Sequence, residues 1–309
     1  MTSPQIPDLA ASFRRELRGA QKSPRTLVLY GQSTRFFCDW LTAQGRPTTL
    51  DQLTKHAISA WLADLGERLD VETIRTRLRG MRRFCRWLVA EGELDKAPTE
   101  GVPMPERSDK PKRVLSDEEL RVLLKLCAVP RGKTGVFDSR VFEGRRDEVI
   151  IRILADCGVR VSELAGLDLG NVDQEQEMVY VIGKGNRPRA IPYGSKTATA
   201  IDRYLRARAT HPKAKGTTRF LLSQRGPMSA DGVRWRMEEL GKAAGIDDLH
   251  PHALRHTNAH RWLAAGGQER DLMHLMGWRS DAMLQVYART TAVERAHAAH
   301  RRAALGDRL

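Results

Sequence analysis

LMGWRSDAMLQVYAR, residues 275–289, is the stretch around which the remainder of the chain makes sense. It places Tyr287 on a short amphipathic segment after a Gly277-Trp278 turn, with Arg279 and Arg289 on either side. A tyrosine hydroxyl has an unperturbed pKa near 10, so only roughly one in a thousand is ionised at neutral pH, and it attacks poorly without help. Taken alone, Tyr287 reads as a helix tyrosine with its ring in the core and its hydroxyl in water, and it is the other motifs that reverse this. The help lies upstream: Arg160, the glycine-flanked Lys184, and His252 with Arg255 form a set able to bind a phosphate and move protons around it.

The surrounding chain has room for such a site. Its 309 residues suffice for two ordinary domains, each with its own core. Hydrophobic residues make up 41% and charged residues 29%, and the net charge of +14 points to a polyanionic partner, because basic surfaces gain affinity by releasing counterions from phosphates. Charge alone does not separate DNA from RNA or an anionic membrane. No run of about 18 apolar residues is present to span a bilayer, and the N-terminus lacks the cationic start and apolar core of a secretion signal. Cys38, Cys85, Cys127 and Cys157 are scattered among apolar neighbours with no CxxC pair, which reads as reduced core thiols in a cytoplasmic protein rather than a zinc site.

Apolar periodicity predicts helices over 6–19, 24–44, 50–66 and 71–91. In the last, Ile74, Leu78, Met81, Cys85 and Leu88 form one stripe and Arg75, Arg79, Arg82 and Arg86 another, both stepping by three or four residues. An arginine row is often only a solvated face; with no acidic residue four positions on to neutralise it, this one reads as a phosphate-facing helix. Residues 93–113 hold four prolines among charges and no apolar period, as a linker does. Ser116 and Glu119 fit a capping box opening a helix over 117–128. The basic stretch PRGKTGVFDSRVFEGRR, 130–146, reads as a loop, solvated or touching nucleic acid.

A helix over 146–157 ends at Gly158, and a short one starts near Ser162. Strands over 178–182 and 187–192 flank Gly183-Lys184-Gly185-Asn186 as a hairpin. Helices follow over 195–209, 229–244, 252–265, 268–276 and 281–288, with an alanine-rich tail at 291–304. Arg160 falls where one helix stops and the next starts, with Glu163 placed to orient it; an ordinary surface ion pair is the other reading. Lys184 at a hairpin tip looks like any exposed lysine. His252 and Arg255 sit three apart, so both are expected to project from one helix's first turn, where the dipole favours an anion.

These residues together resemble the tyrosine recombinases, the phage integrase family. The carriers are Arg160 in GVRVSELAGL, Lys184 in IGKGNRPR, His252 and Arg255 in HPHALRHT, and Trp278 and Tyr287 in LMGWRSDAMLQVYAR. The family places a His or Trp nine residues before its tyrosine, and 287 − 278 = 9. Most members carry histidine where this chain has Trp278, which keeps one N–H donor but cannot shuttle a proton. The resemblance covers nearly the whole chain and implies a mainly α fold: a helical, SAM-like core-binding domain over 1–95, a linker over 96–112, and a mostly helical catalytic domain with a small β-hairpin over 113–309. It looks like the simpler architecture, without the extra N-terminal domain of larger integrases.

The resemblance also implies the chemistry. Tyr287 attacks a DNA phosphodiester, giving a 3′-phosphotyrosyl link and a free 5′-hydroxyl. Arg160 and Arg255 hold the non-bridging oxygens, His252 acts as base or hydrogen-bond partner, Lys184 protonates the departing oxygen, and Trp278 supports the tyrosine segment. No metal or other cofactor is required, since two guanidiniums supply the positive charge. Family members work as tetramers on double-stranded DNA through a Holliday junction, with the tail after Tyr287 as the docking segment, in a cytoplasmic, nucleoid-associated setting and with possible DNA-bending or directionality factors. An Xer-type dimer resolvase, a type IB topoisomerase-like enzyme and a non-catalytic DNA-binding protein are the alternatives. The sequence does not name the target site.

Overall fold

The computed structural model describes residues 3–22, 24–106, 113–129, 135–183, 187–278, 280, 281, 284, 296, 297 and 300–304. They fall into two compact units, within Met1–Lys110 and Pro111–Leu309.

The first unit is helical: α1 (Ile6–Gly19), α2 (Pro24–Ala43), α3 (Lys55–Gly66) and α4 (Val71–Ala90). The expected helix over 50–66 is divided. Leu50–Gln52 form a 3-10 turn, and α3 starts only after Thr54, whose hydroxyl accepts from the Ala57 N–H at 3.1 Å. Asp70 caps α4 in the same way, taking the Thr73 N–H at 3.0 Å. The apolar stripe of α4 is buried, with Leu78, Met81, Cys85 and Leu88 sealed beside Phe13 and Phe37. Phe13 lies 5.5 Å from both Phe84 and Trp87, and Phe37 meets Trp61 edge-on at 5.5 Å. Each such aromatic contributes about 1.5–3 kcal/mol through burial. Gly80 lets α4 approach α2, since a Cβ there would overlap Ser33.

The second unit begins with α5 (Asp117–Leu126), where Ser116 and Glu119 form the expected capping box. The next helix, α6 (Ser139–Asp156), corrects the reading of 130–146 as a loop: from Ser139 onward it is helical, and residues 130–134 lie outside the described residues. The Asp138 carboxylate caps α6 through the N–H groups of Arg140 and Val141 at 2.9 and 3.2 Å. The charges that disguised its first turns are paired inward. Arg146 is buried against Asp147 at 2.8 Å, and Asp147 also accepts from Arg236 at 2.7 Å. Val149, Ile150, Ile153 and Leu154 then make α6 the centre of the core.

After α7 (Val161–Ala165), β1 (Val172–Asp173), β2 (Met178–Gly183) and β3 (Arg187–Pro192) form an antiparallel sheet in that order. Val179 pairs with Ile191, Val181 with Arg189 and Gly183 with Arg187. There follow α8 (Ser195–Ala209), the short pair β4 (Leu222–Ser223) and β5 (Gly226–Pro227), α9 (Ala230–Ala244), α10 (Pro251–Ala264) and α11 (Glu269–Met276). Of the helices expected over 281–288 and 291–304, most residues lie outside the described ones. Residues 281, 284, 296, 297 and 300–303 are helical, and Leu284 is buried. Among the described residues no helix is long and apolar enough to cross a membrane. The four cysteines are buried and unbridged, and burial pushes the thiols of Cys85 and Cys127 up to about 12.

Candidate active site

Two glycine turns build the site. The first ends α6. Gly158 adopts φ +58°, and Asn258 donates to the carbonyls of Ala155 and Asp156 at 2.9 and 2.6 Å, satisfying acceptors that the helix end leaves over. The second ends α11, where Gly277 has φ +60° and leads into Trp278. The two turns lie 119 residues apart in sequence (277 − 158) and are tied together by arginines.

Arg160 is the cap residue of α7. Its backbone N–H and its Nη1 donate to Glu163 at 2.7 and 2.8 Å, and its Nη2 lies 3.4 Å from the Gly277 carbonyl. About a third of the side chain, 35%, stays exposed, so the guanidinium is held on one edge and open on another. Arg255, on α10, is 1% exposed: Nη1 donates to the Gly158 carbonyl and Nη2 to the Met276 carbonyl at 2.6 Å. A buried guanidinium is tolerable when acceptors meet it, and here two main-chain carbonyls do so.

His252 and Arg255 therefore do not project together as expected. His252 is exposed at the helix start, whereas the longer side chain one turn on reaches between the two glycine turns. The His252 ring meets His256 edge-on at 4.4 Å. His250 caps α10, its Nδ1 accepting the Ala253 N–H at 2.8 Å. Trp278 is 8% exposed, packed with Leu263, Leu272, Met276 and Leu284, and the Arg255 guanidinium lies 5.8 Å from its ring centre. Lys184 and Tyr287 lie outside the described residues.

Arg160, Ser162, Arg234, Glu238, His250 and His252 line one cleft of about 460 Å³. A larger cavity of about 900 Å³ lies among Leu124, Cys157, Tyr193, Arg261 and Trp262, and none of Arg160, His252, Arg255 and Trp278 lines it. Arg160 and His252 therefore mark the smaller cleft as the candidate site. Glu163 is its internal counter-charge. Burial pushes this carboxyl up, but hydrogen bonds from Arg189 and from the Arg160 backbone outweigh that and hold it below its ordinary value.

Sequence reading missed Arg189. It lies on the inward face of β3 with Ile191, where an arginine demands a partner, and this alternation is the signal that would have found it. Arg234 and Glu238 were also missed, because a charged helix face reads as solvated whether or not it borders a cleft. On α4, Arg79 and Arg86 are exposed, Arg75 donates to the Pro105 carbonyl and pairs with Glu72 at 3.4 Å, and Arg82 donates to the Val102 carbonyl at 2.5 Å.

The model of the phage integrase family matches residues 114–294, and that of the phage integrase N-terminal SAM-like domain matches residues 10–92. Tyrosine recombinase XerC of Corynebacterium efficiens is 31% identical over 244 residues, which is 79% of this chain and 76% of that protein. Tyrosine recombinase XerD of Corynebacterium glutamicum is 30% identical over 281 residues, 87% of this chain and 89% of that one. Among solved structures, the Tn1549 transposon integrase in complex with transposon right end DNA matches with a TM-score of 0.73 at 21% identity, over 98% of this chain and 100% of that one. The XerH site-specific recombinase bound to palindromic difH substrate matches with a TM-score of 0.71 at 16% identity, over 89% and 79%. At those identities the structural likeness is one of fold; family membership rests on the two family models and the Xer sequences. The chain belongs to the phage integrase family, the tyrosine recombinases, and is an enzyme of site-specific recombination that breaks and rejoins DNA strands.

Proposed function

We propose that Tyr287 is the nucleophile and that the cleft holding Arg160 and His252 receives the scissile phosphate. The carrying observation is Arg160 itself, anchored to Glu163 and Gly277 yet open towards the cleft that His252 also lines. The tyrosine oxygen attacks phosphorus, the 5′-oxygen leaves, and a 3′-phosphotyrosyl bond replaces the phosphodiester, so the reverse attack by a 5′-hydroxyl reseals a strand without an external energy source. Charge grows on the non-bridging oxygens as the pentavalent state forms. Two arginines already fixed by acceptors stabilise it with little reorganisation. His252 serves as base or hydrogen-bond partner, Lys184 protonates the leaving oxygen, and Trp278 gives its one N–H and its packing to the segment that carries Tyr287.

The other tyrosines of this unit support the assignment to Tyr287. Tyr193 and Tyr204 donate to the carbonyls of Asp173 and Phe220 at 2.8 and 2.9 Å, and burial pushes both hydroxyls up to about 12. Tyr180 lies on an exposed strand face, 3.4 Å from Gln176.

The domain reading of 1–95 for core binding, 96–112 as linker and 113–309 for catalysis is part of the same proposal, with the N-terminal family match in its support. Double-stranded DNA is clasped in part by Arg79 and Arg86, whose exposure suits phosphate contact; Arg75 and Arg82, with backbone acceptors of their own, contribute remaining donors. Work as a tetramer through a Holliday junction, docking of the tail over 291–309 on a neighbouring copy, and a place on the nucleoid complete the reading. Deleting 291–309 tests the docking: assembly on DNA unchanged by the deletion removes that role.

A covalent trap tests the nucleophile. The protein and its Tyr287→Phe form are incubated with nicked duplexes from the DNA flanking the gene and resolved on denaturing gels. A denaturant-resistant protein–DNA band that vanishes with phenylalanine is the expected result. A band that persists with phenylalanine contradicts the assignment. Relaxation of supercoiled plasmid without exchanged strands would favour the topoisomerase-like alternative.

A further inference from the structure

We infer that Arg189 is a positioning residue of this recombinase, which keeps Glu163 from neutralising Arg160 and locks the turn before Trp278 to the cleft. The inference rests on the assignment of Arg160 to the scissile phosphate.

The Arg189 guanidinium makes three hydrogen bonds to two partners. Nη1 and Nη2 donate to Glu163 Oε1 and Oε2 at 3.0 and 2.8 Å, a bidentate fork, and Nε donates to the Leu275 carbonyl at 2.9 Å. The slot it fills is walled by two glycines. A Cβ on Gly183 or on Gly277 would come within 3.2 Å of Nη1, so neither position accepts a side chain without displacing the guanidinium. The Arg189 side chain is only 12% exposed, against 35% for Arg160. Arg189 is thus turned away from solvent, and its effect on DNA passes through the groups it holds.

Charge gives the arrangement its sense. Glu163, with 4% of its side chain exposed, carries one negative charge in a site that must attract an anion. With Arg160 as its sole cationic partner, the pair would be neutral and Arg160 would be drawn wholly onto the carboxylate. With Arg189 also bound, the three residues sum to +1, and Oε1 is shared between Arg160 Nη1 and Arg189 Nη1. The Leu275 bond adds a mechanical link. It fixes the chain two residues before Gly277, whose carbonyl faces Arg160. Strand β3, the α7 cap and the α11 turn therefore meet at one guanidinium.

The test is single-turnover cleavage of the nicked duplex, with DNA affinity measured in parallel, for full-length wild type, R189M, R189K and the double variant E163Q/R189M. Replacing a group that sets transition-state electrostatics costs about 100-fold, so R189M is expected to lose that much in cleavage rate while DNA affinity changes less than threefold. R189K, which keeps the charge but not the fork, falls between R189M and wild type. In the double variant the carboxylate that captures Arg160 is gone, and the rate is expected to rise about tenfold above R189M. A purely structural role gives the opposite sign, because E163Q weakens the same bonds again. R189M within twofold of wild type, or a double variant no faster than R189M, overturns the inference. Should R189M fail to fold, R189K decides: cleavage equal to wild type overturns it, and a tenfold loss at unchanged affinity upholds it. Failure of wild type itself to form a covalent product with Tyr287 would instead strike the assignment of the site.

Discussion

The chain carries two sets of arginines that look alike in sequence and are used differently. On α4, four arginines step along one face of a single helix, and the two exposed ones, Arg79 and Arg86, have no long-range tie among the described residues. Around the two glycine turns, Arg160, Arg189 and Arg255 come from the α7 cap, β3 and α10, and each reaches a main-chain carbonyl within residues 275–277. The first arrangement suits affinity: exposed guanidiniums attract phosphates, are screened by salt and tolerate imprecise placement. The second suits catalysis, because charge must be fixed before the transition state forms. On the proposed function, Arg160, Arg189 and Arg255 serve the reaction, while Arg79 and Arg86 serve binding.

The contrast is broken most severely at Arg255. Arg255→Ala removes a buried charge and leaves the carbonyls of Gly158 and Met276 unmet; each charged hydrogen bond contributes about 1.5–3 kcal/mol, so both the melting temperature and the cleavage rate are expected to fall, the latter about 1,000-fold. Calorimetry and single-turnover kinetics read the two effects. Away from the cleft, Gly80→Ala forces a Cβ onto Ser33 between α2 and α4 and should cost about 1–3 kcal/mol in a denaturant melt. Cleavage by the protein that remains folded should be unaltered; a slowed reaction would mean that α2–α4 packing reaches the chemistry.

Titration sharpens the comparison further. The Glu163 carboxyl lies below its ordinary value of 4.5 in the folded protein, so its stabilising effect is present above that value and is lost as pH falls through the lower folded value. The melting-temperature gap between wild type and Glu163→Gln should be widest near neutrality and close in acid. A gap that widens in acid would reverse the sign. The smallest effects belong to α4: Arg79→Ala and Arg86→Ala should each reduce the salt slope of DNA binding by about 1 and leave cleavage at saturating DNA unchanged.

How much of this was legible in the sequence follows from the range of the forces involved. The helices of the first unit, the capping box at Ser116 and the β2–β3 pairing are written in local periodicity and turn chemistry, and they were readable. The start of α6 was hidden because Arg145 and Arg146 look solvated until Asp147 and Glu148 are seen to pair with them. The break between Gln52 and Lys55 was missed because apolar spacing runs through it, while the deciding bond is one threonine hydroxyl. Arg160, His252 and Arg255 were visible as motif residues. That Arg255 is buried between two glycine turns was not, since its acceptors lie 97 and 21 residues away. Arg189 stayed hidden for the same reason: its partners are on α7 and α11, and only strand alternation hinted that it pointed inward.

The division between the two arginine sets is tested most directly by measuring cleavage and DNA affinity together for Arg160→Ala and Arg86→Ala. The account predicts that Arg160→Ala loses covalent product about 1,000-fold while keeping its salt-dependent affinity, and that Arg86→Ala weakens affinity while cleaving at the wild-type rate once saturated. If cleavage and affinity fall together in Arg160→Ala, the cleft is a DNA-holding surface like α4, and the assignment of chemistry to it is contradicted.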